Sequence, residues 1–199
     1  MKKYILLLFH IIYLNIVGFS QSKNAVIYDK SPSVSYYFDW INSEWPGSHH
    51  QKILANLEFF QWMKDEYDMQ LDLYLMDAGN LDQSPHWVEG AVSREEGLQY
   101  AYGSVEGERF RRKFPDGIEP LFEKAAYMNT NMGIWLGPDG YGETEQDALA
   151  RQNMIVDFSR KYNFGIFKFD RACTDLRPEK EKYFIQTMKK CRGGQRCLL

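Results

Sequence analysis

Gly165-Ile166-Phe167-Lys168-Phe169-Asp170 alternates apolar and polar side chains from Phe167 onward, inside an apolar run that begins at Phe164. That is the pattern of a β-strand with two unlike faces, so Lys168 and Asp170 point to one side while Phe167 and Phe169 pack on the other. A cation and an anion then emerge together at the carboxyl end of a strand. An isolated inward charge would be costly, but a pair at the mouth of a sheet keeps a carboxylate ionised and available as a nucleophile.

Working outward, apolar runs alternate with segments of helical period, which is the signature of βα units around a parallel sheet. A helix from about Thr144 to Tyr162 precedes the strand, and before it come strand Met132–Leu136 and the turn-rich Gly137-Pro138-Asp139-Gly140-Tyr141-Gly142. A helix from Ile118 to Met128 leads into that strand. Further back stand strand Leu71–Met76, ending at Asp77-Ala78-Gly79-Asn80, and an irregular stretch to Pro115, long enough to carry function. The first unit is strand Val34–Asp39 with a helix from about His49 to Tyr67, whose Ile53, Leu54, Leu57, Phe60 and Met63 share a face. The last is followed by a helix from Glu179 to Lys190.

These are four βα units, half of the eight in a (β/α)8 barrel of roughly 250 residues. The expected fold is therefore α/β, of the (β/α)8 TIM-barrel type, with only the first four units present. The alternative is a complete four-stranded doubly wound domain. Polar residues recur at the carboxyl ends of the strands, at Asp39, Asp77 and Asp170. A barrel gathers its site from successive strands in that way, whereas an open sheet concentrates it at a switch point.

Lys2 and Lys3, the apolar run Tyr4–Val17 and the small or polar residues to Ser22 read as the three regions of a secretory signal over 1–22, predicting export to the periplasm or outside the cell. The run is shorter than a membrane span needs, and no later segment reaches that length, so no membrane association is expected after its removal. The whole chain carries a net charge of −3, and losing two lysines makes the remainder more acidic. That argues against a nucleic-acid partner. Cys173, Cys191 and Cys197 form no CxxC pair, and their pairing is not deducible from spacing. His49, His50 and His86 lack metal-ligand spacing, so neither a metal nor another cofactor is expected.

Aromatic residues make up 16% of the chain, and Trp40, Trp45, Trp87 and Trp135 fall at strand ends or in long loops, where their faces suit sugar rings as well as loop packing. Asp77, before Gly79, is placed to accept hydrogen bonds from a substrate hydroxyl or simply to form a turn. The Lys168–Asp170 pair has a plain alternative as a strand-end salt bridge. The basic cluster Arg109, Arg111, Arg112 and Lys113 reads as a solvated loop.

Gly133-Ile134-Trp135-Leu136-Gly137-Pro138 followed by Gly165 to Asp170 resembles the strand-three and strand-four pair of melibiase-type α-galactosidases and their clan D relatives. Asp77-Ala78-Gly79 is similar to the Asp-Asp-Gly of their second strand, with one acid retained in line. The resemblance spans roughly Val34 to Arg192, and it implies a barrel that hydrolyses terminal α-galactosides or related α-glycosides with retention. It makes Asp170 the nucleophile, with Lys168 and Asp77 binding sugar hydroxyls. Trp135, Asp39 and Trp40 complete the set of expected substrate contacts, and the expected partner is an oligosaccharide or other glycoside. The family's general acid comes from strand six, beyond these four.

The expected organisation is a signal peptide over 1–22, the N-terminal half of a glycosidase barrel over 23–192 and an aberrant tail over 193–199, the mark of a truncated copy lacking its acid/base. The competing readings are a non-catalytic carbohydrate-binding remnant and a complete small α/β domain of unrelated function.

Overall fold

The computed structural model describes residues 34–40, 49–85, 88, 90–170 and 175–191. The chain divides into Met1–Ser33 and Val34–Leu199, and everything described lies in the second unit. The predicted signal, the tail from Gly193, and Trp45, His86, Trp87, Cys173 and Cys197 lie outside the described residues.

The element order is β1 (Tyr36–Phe38), α1 (His50–Tyr67), β2 (Leu73–Met76), α2 (Arg94–Ala101), α3 (Glu108–Lys113), α4 (Glu119–Tyr127), β3 (Asn131–Leu136), α5 (Glu145–Tyr162), β4 (Ile166–Phe169) and α6 (Glu181–Cys191), with a 3-10 turn at Pro178–Lys180. The strands form one four-stranded parallel sheet in the order β1-β2-β3-β4. Parallel crossovers are right-handed almost without exception, so strands laid down in sequence order send every crossover to the same side. The order has no reversal and hence no switch point, which sets it apart from a doubly wound sheet. Among the described residues the sheet does not close.

Register separates the two faces. Tyr74 lies opposite Met132, Met76 opposite Ile134, Ile134 opposite Phe167, and Leu136 opposite Phe169. These side chains meet Ile53 and Leu57 of α1, Leu121 and Ala125 of α4, and Ile155 and Phe158 of α5 in one core cluster, with Phe169 packed at its margin. Phe167 and Phe169 therefore pack toward the helices as their period predicts. The other face carries Phe38, Leu75, Gly133 and Ile166 in one row, with Trp135 and Lys168 one step further along. Gly133 is needed there: an added Cβ would stand 2.4 Å from Ile166 Cγ2 and 2.9 Å from Leu75 Cδ1, so its absence lets β2 and β4 side chains meet across β3.

The segment between β2 and α4, expected to be irregular, holds α2 and α3. Ser93 caps α2 by accepting the Glu96 N–H at 3.0 Å, and α5 starts at a full capping box between Thr144 and Asp147. Strands β1, β2 and β4 begin two residues later than the apolar runs from Val34, Leu71 and Phe164 suggest. At the starts of β1 and β2 Ser35 and Asp72 bond each other through side chains, Ser35 N–H and hydroxyl both donating to Asp72 Oδ2 at 2.8 Å.

Candidate functional site

The carboxyl ends of β2 and β4 bring three charges together. Lys168 Nζ donates to Asp77 Oδ2 at 2.8 Å and lies 3.3 Å from Asp170 Oδ2. The ammonium also sits 5.0 Å from the centre of the Phe38 ring, in cation–π range, and Tyr36 stacks on Phe38 at 5.7 Å. One lysine thus bridges three strands. Burial pulls the Lys168 ammonium down, but its hydrogen bond to Asp77 and the charges of Asp77 and Asp170 outweigh this and hold it above the ordinary lysine value.

The two carboxylates are presented differently. The Asp77 side chain is 3% exposed, and its Oδ1 accepts the Ala78 N–H at 2.7 Å. Asp170 is 39% exposed and lies at the open end of the pair. Of these two, Asp170 is the one that combines a neighbouring cation with access from solvent. A carboxylate of that kind serves as a nucleophile or as a hydrogen-bond acceptor for hydroxyls.

Asp39 and Trp135, both expected as substrate contacts, are buried. Asp39 is 1% exposed and turned toward the helix layer; its Oδ1 accepts the Asp77 N–H at 2.8 Å and its Oδ2 the Tyr74 hydroxyl at 3.3 Å. It supports Asp77 from beneath. Burial, then the charge of Asp39, raises the Tyr74 phenol far above its usual range. Trp135 is 1% exposed and flanks Lys168 in register, so it forms the wall beside the charges and not a platform in solvent. Trp40 is 56% exposed just after β1.

Charged residues outside the expected site hold the loops around this rim. Asp82, fully buried, takes a two-pronged ion pair from Arg151 of α5 and accepts the Gly103 and Gly137 N–H groups, both at 3.0 Å. Burial presses the Arg151 guanidinium down, and the Asp82 charge more than offsets it. Lys113, expected in a solvated loop, is instead buried on α3 and donates to the Gly79 carbonyl; Arg109 of the same cluster donates to the Leu81 carbonyl. Farther round, Asp139 at the end of β3 accepts from the Arg177 Nε at 2.8 Å and backbone N–H at 3.1 Å. Burial would raise the Asp139 carboxyl, but these bonds hold it below the usual carboxylate value.

No family model matches the chain, and no curated protein matches it. Solved structures do. The α-galactosidase from Lactobacillus brevis aligns at 11% identity and a TM-score of 0.46, over 81% of this chain and 24% of that one. A doubly substituted GH36 α-galactosidase from Geobacillus stearothermophilus, in complex with stachyose, aligns at 12% identity and a TM-score of 0.46, over 80% of this chain and 26% of that one. The chain spans about a quarter of the length of either. The likeness is a distant one of shape and says nothing of activity.

Among the described residues no group of three or more His, Cys, Asp or Glu is placed to hold a metal ion, and no helix is long and apolar enough to cross a membrane. A cavity of about 460 Å³ between α3, α4 and α5, floored by Phe110, Phe114 and Phe158, shares no residue with the rim.

Proposed function

We propose that this chain carries the N-terminal half of a (β/α)8 glycosidase barrel, exported, that acts with retention on terminal α-galactosides or related α-glycosides. The observation that carries the reading is the bridge from Lys168 to Asp77 and Asp170 at the carboxyl ends of two strands in barrel order. The sequence resemblance assigns Asp170 and Lys168 these parts at strand four and Asp77 its part at strand two.

In this reading the Asp170 carboxylate attacks the anomeric carbon as the glycosidic C–O bond breaks. The leaving oxygen takes its proton from a second carboxyl, and water later cleaves the glycosyl ester. Lys168 and Asp77 hold sugar hydroxyls and fix the ring over Asp170, using their opposite charges to donate and accept. The second carboxyl must stand about 5–5.5 Å from the nucleophile. Asp77 does not fill that part, because its Oδ2 is committed to Lys168. The resemblance implies an acid on strand six, beyond the four described.

Hydrolysis of an aryl α-galactoside, beside α-glucoside and β-linked controls, tests the reading in a form of the chain extended through the second half of the barrel. Turnover that disappears in Asp170→Asn supports it; no turnover on any substrate by a folded protein overturns it. A binding role without cleavage draws support from the engagement of both rim carboxylates by one lysine. It predicts sugar affinity that survives Asp170→Asn and no covalent adduct.

A further inference from the structure

The turn that carries Asp77 is gripped from behind. Asp39 fixes the Asp77 N–H, the Asn80 amide closes onto the Asp77 carbonyl at 2.7 Å, and the Gly79 N–H donates to the Asp82 carbonyl at 2.7 Å. Gly79 holds φ +91°, a conformation that side chains rarely adopt, so the turn requires glycine there. The Gly79 carbonyl is met by the Lys113 ammonium at the end of α3. A lysine is among the residues least often found buried, and this one is only 9% exposed.

We propose that Lys113 is a positioning residue for the rim: its ammonium, donated to the Gly79 carbonyl, sets the turn so that the Asp77 carboxylate meets Lys168. The effect on sugar binding rests on the reading of Asp77 as a substrate contact, whereas the effect on the turn does not. A charged donor forms a hydrogen bond roughly twice as strong as a neutral one, so the grip depends on the proton. The groups around the ammonium act in both directions. Burial and the charges of Arg109 and Arg112 on its own helix lower it to about 8, against the opposing pull of Asp39 from the end of β1. The hold on the turn is therefore full at neutral pH and relaxes in mildly alkaline solution, before Lys168 itself begins to lose its proton.

The test follows the Asp77 Cγ and Gly79 amide shifts by NMR from pH 6 to 10 in the full chain, with Asp77→Asn as the assignment control. In the wild type both shifts inflect near pH 8. In Lys113→Arg, which keeps charge and donor, the inflection vanishes and the shifts hold their low-pH values throughout. In Lys113→Met they sit at the wild-type high-pH values at every pH. A wild-type titration flat between pH 7 and 9, or a folded Lys113→Met with unchanged shifts, overturns the proposal. If Lys113→Met does not fold, the wild-type titration and Lys113→Arg decide. Neither readout needs a sugar, so a failed hydrolysis assay leaves this inference standing, and a flat titration leaves the chemistry of Asp170 untouched.

Discussion

Lys168 is shared by a buried carboxylate and an exposed one, and that asymmetry predicts how substitutions at the rim separate stability from binding. Lys168→Met leaves the Asp77 carboxylate buried without its cation and should cost about 1–3 kcal/mol in urea unfolding, with sugar binding lost as well. Asp170→Asn touches the exposed partner and should leave the midpoint nearly unchanged; a large drop there would mean that Asp170 is structural. Gly133→Ala tests the tight contact across β3: its Cβ meets Leu75 and Ile166, so overpacking should cost about 1–3 kcal/mol. The partnership of Lys168 and Asp170 was legible because both lie on one strand at a period of two. That of Lys168 with Asp77 spans 91 residues and was not, since only the sheet register brings the two strand ends together. The partners of Asp39 were hidden for the same reason: it stands at a strand end, and only the sheet brings its carboxylate to Tyr74 on the helix side.

At the scale of the elements, the four strands and the four longer helices follow from apolar periodicity, and at the late starts of β1 and β2 Ser35 and Asp72 bond each other. The helices missed between β2 and α4 are short, 8 and 6 residues, too brief for a periodic signal. The first still carried a readable start, since Ser93 and Glu96 have capping spacing. The second placed Phe110, Lys113 and Phe114 on one side, and its lysine was read as solvated because burial of that residue runs against the usual preference. Asp82 and Arg151 pin this segment to α5. Asp82→Ala strands a buried guanidinium and should cost about 3–5 kcal/mol, while the double change Asp82→Leu with Arg151→Leu should cost less than the single one. The Arg177–Asp139 tie is testable by pH. The Asp139 carboxyl is lowered on folding, so its contribution is full above the ordinary carboxylate value, about 3.9, and fades as pH falls through the folded one. Wild type and Asp139→Asn should therefore differ in melting temperature at pH 7 and converge toward pH 2. A gap that persists in acid would assign the tie to packing instead.

Taken as a whole, the molecule presents parallel strands in sequence order with helices on one side and charged side chains at their carboxyl ends, the arrangement from which a barrel builds an active site. The central claim is that Asp170 is a glycosyl-accepting nucleophile, and an activated sugar isolates that step, because a fluoride leaving group needs little help from a general acid. The most direct measurement is intact and peptide mass spectrometry, after incubation with 5-fluoro-α-galactosyl fluoride, of the chain extended through the second half of the barrel. The account predicts one fluorogalactosyl adduct, on the peptide that holds Asp170, absent from Asp170→Asn. A folded wild-type protein that stays unlabelled, or an adduct retained in Asp170→Asn, would contradict it.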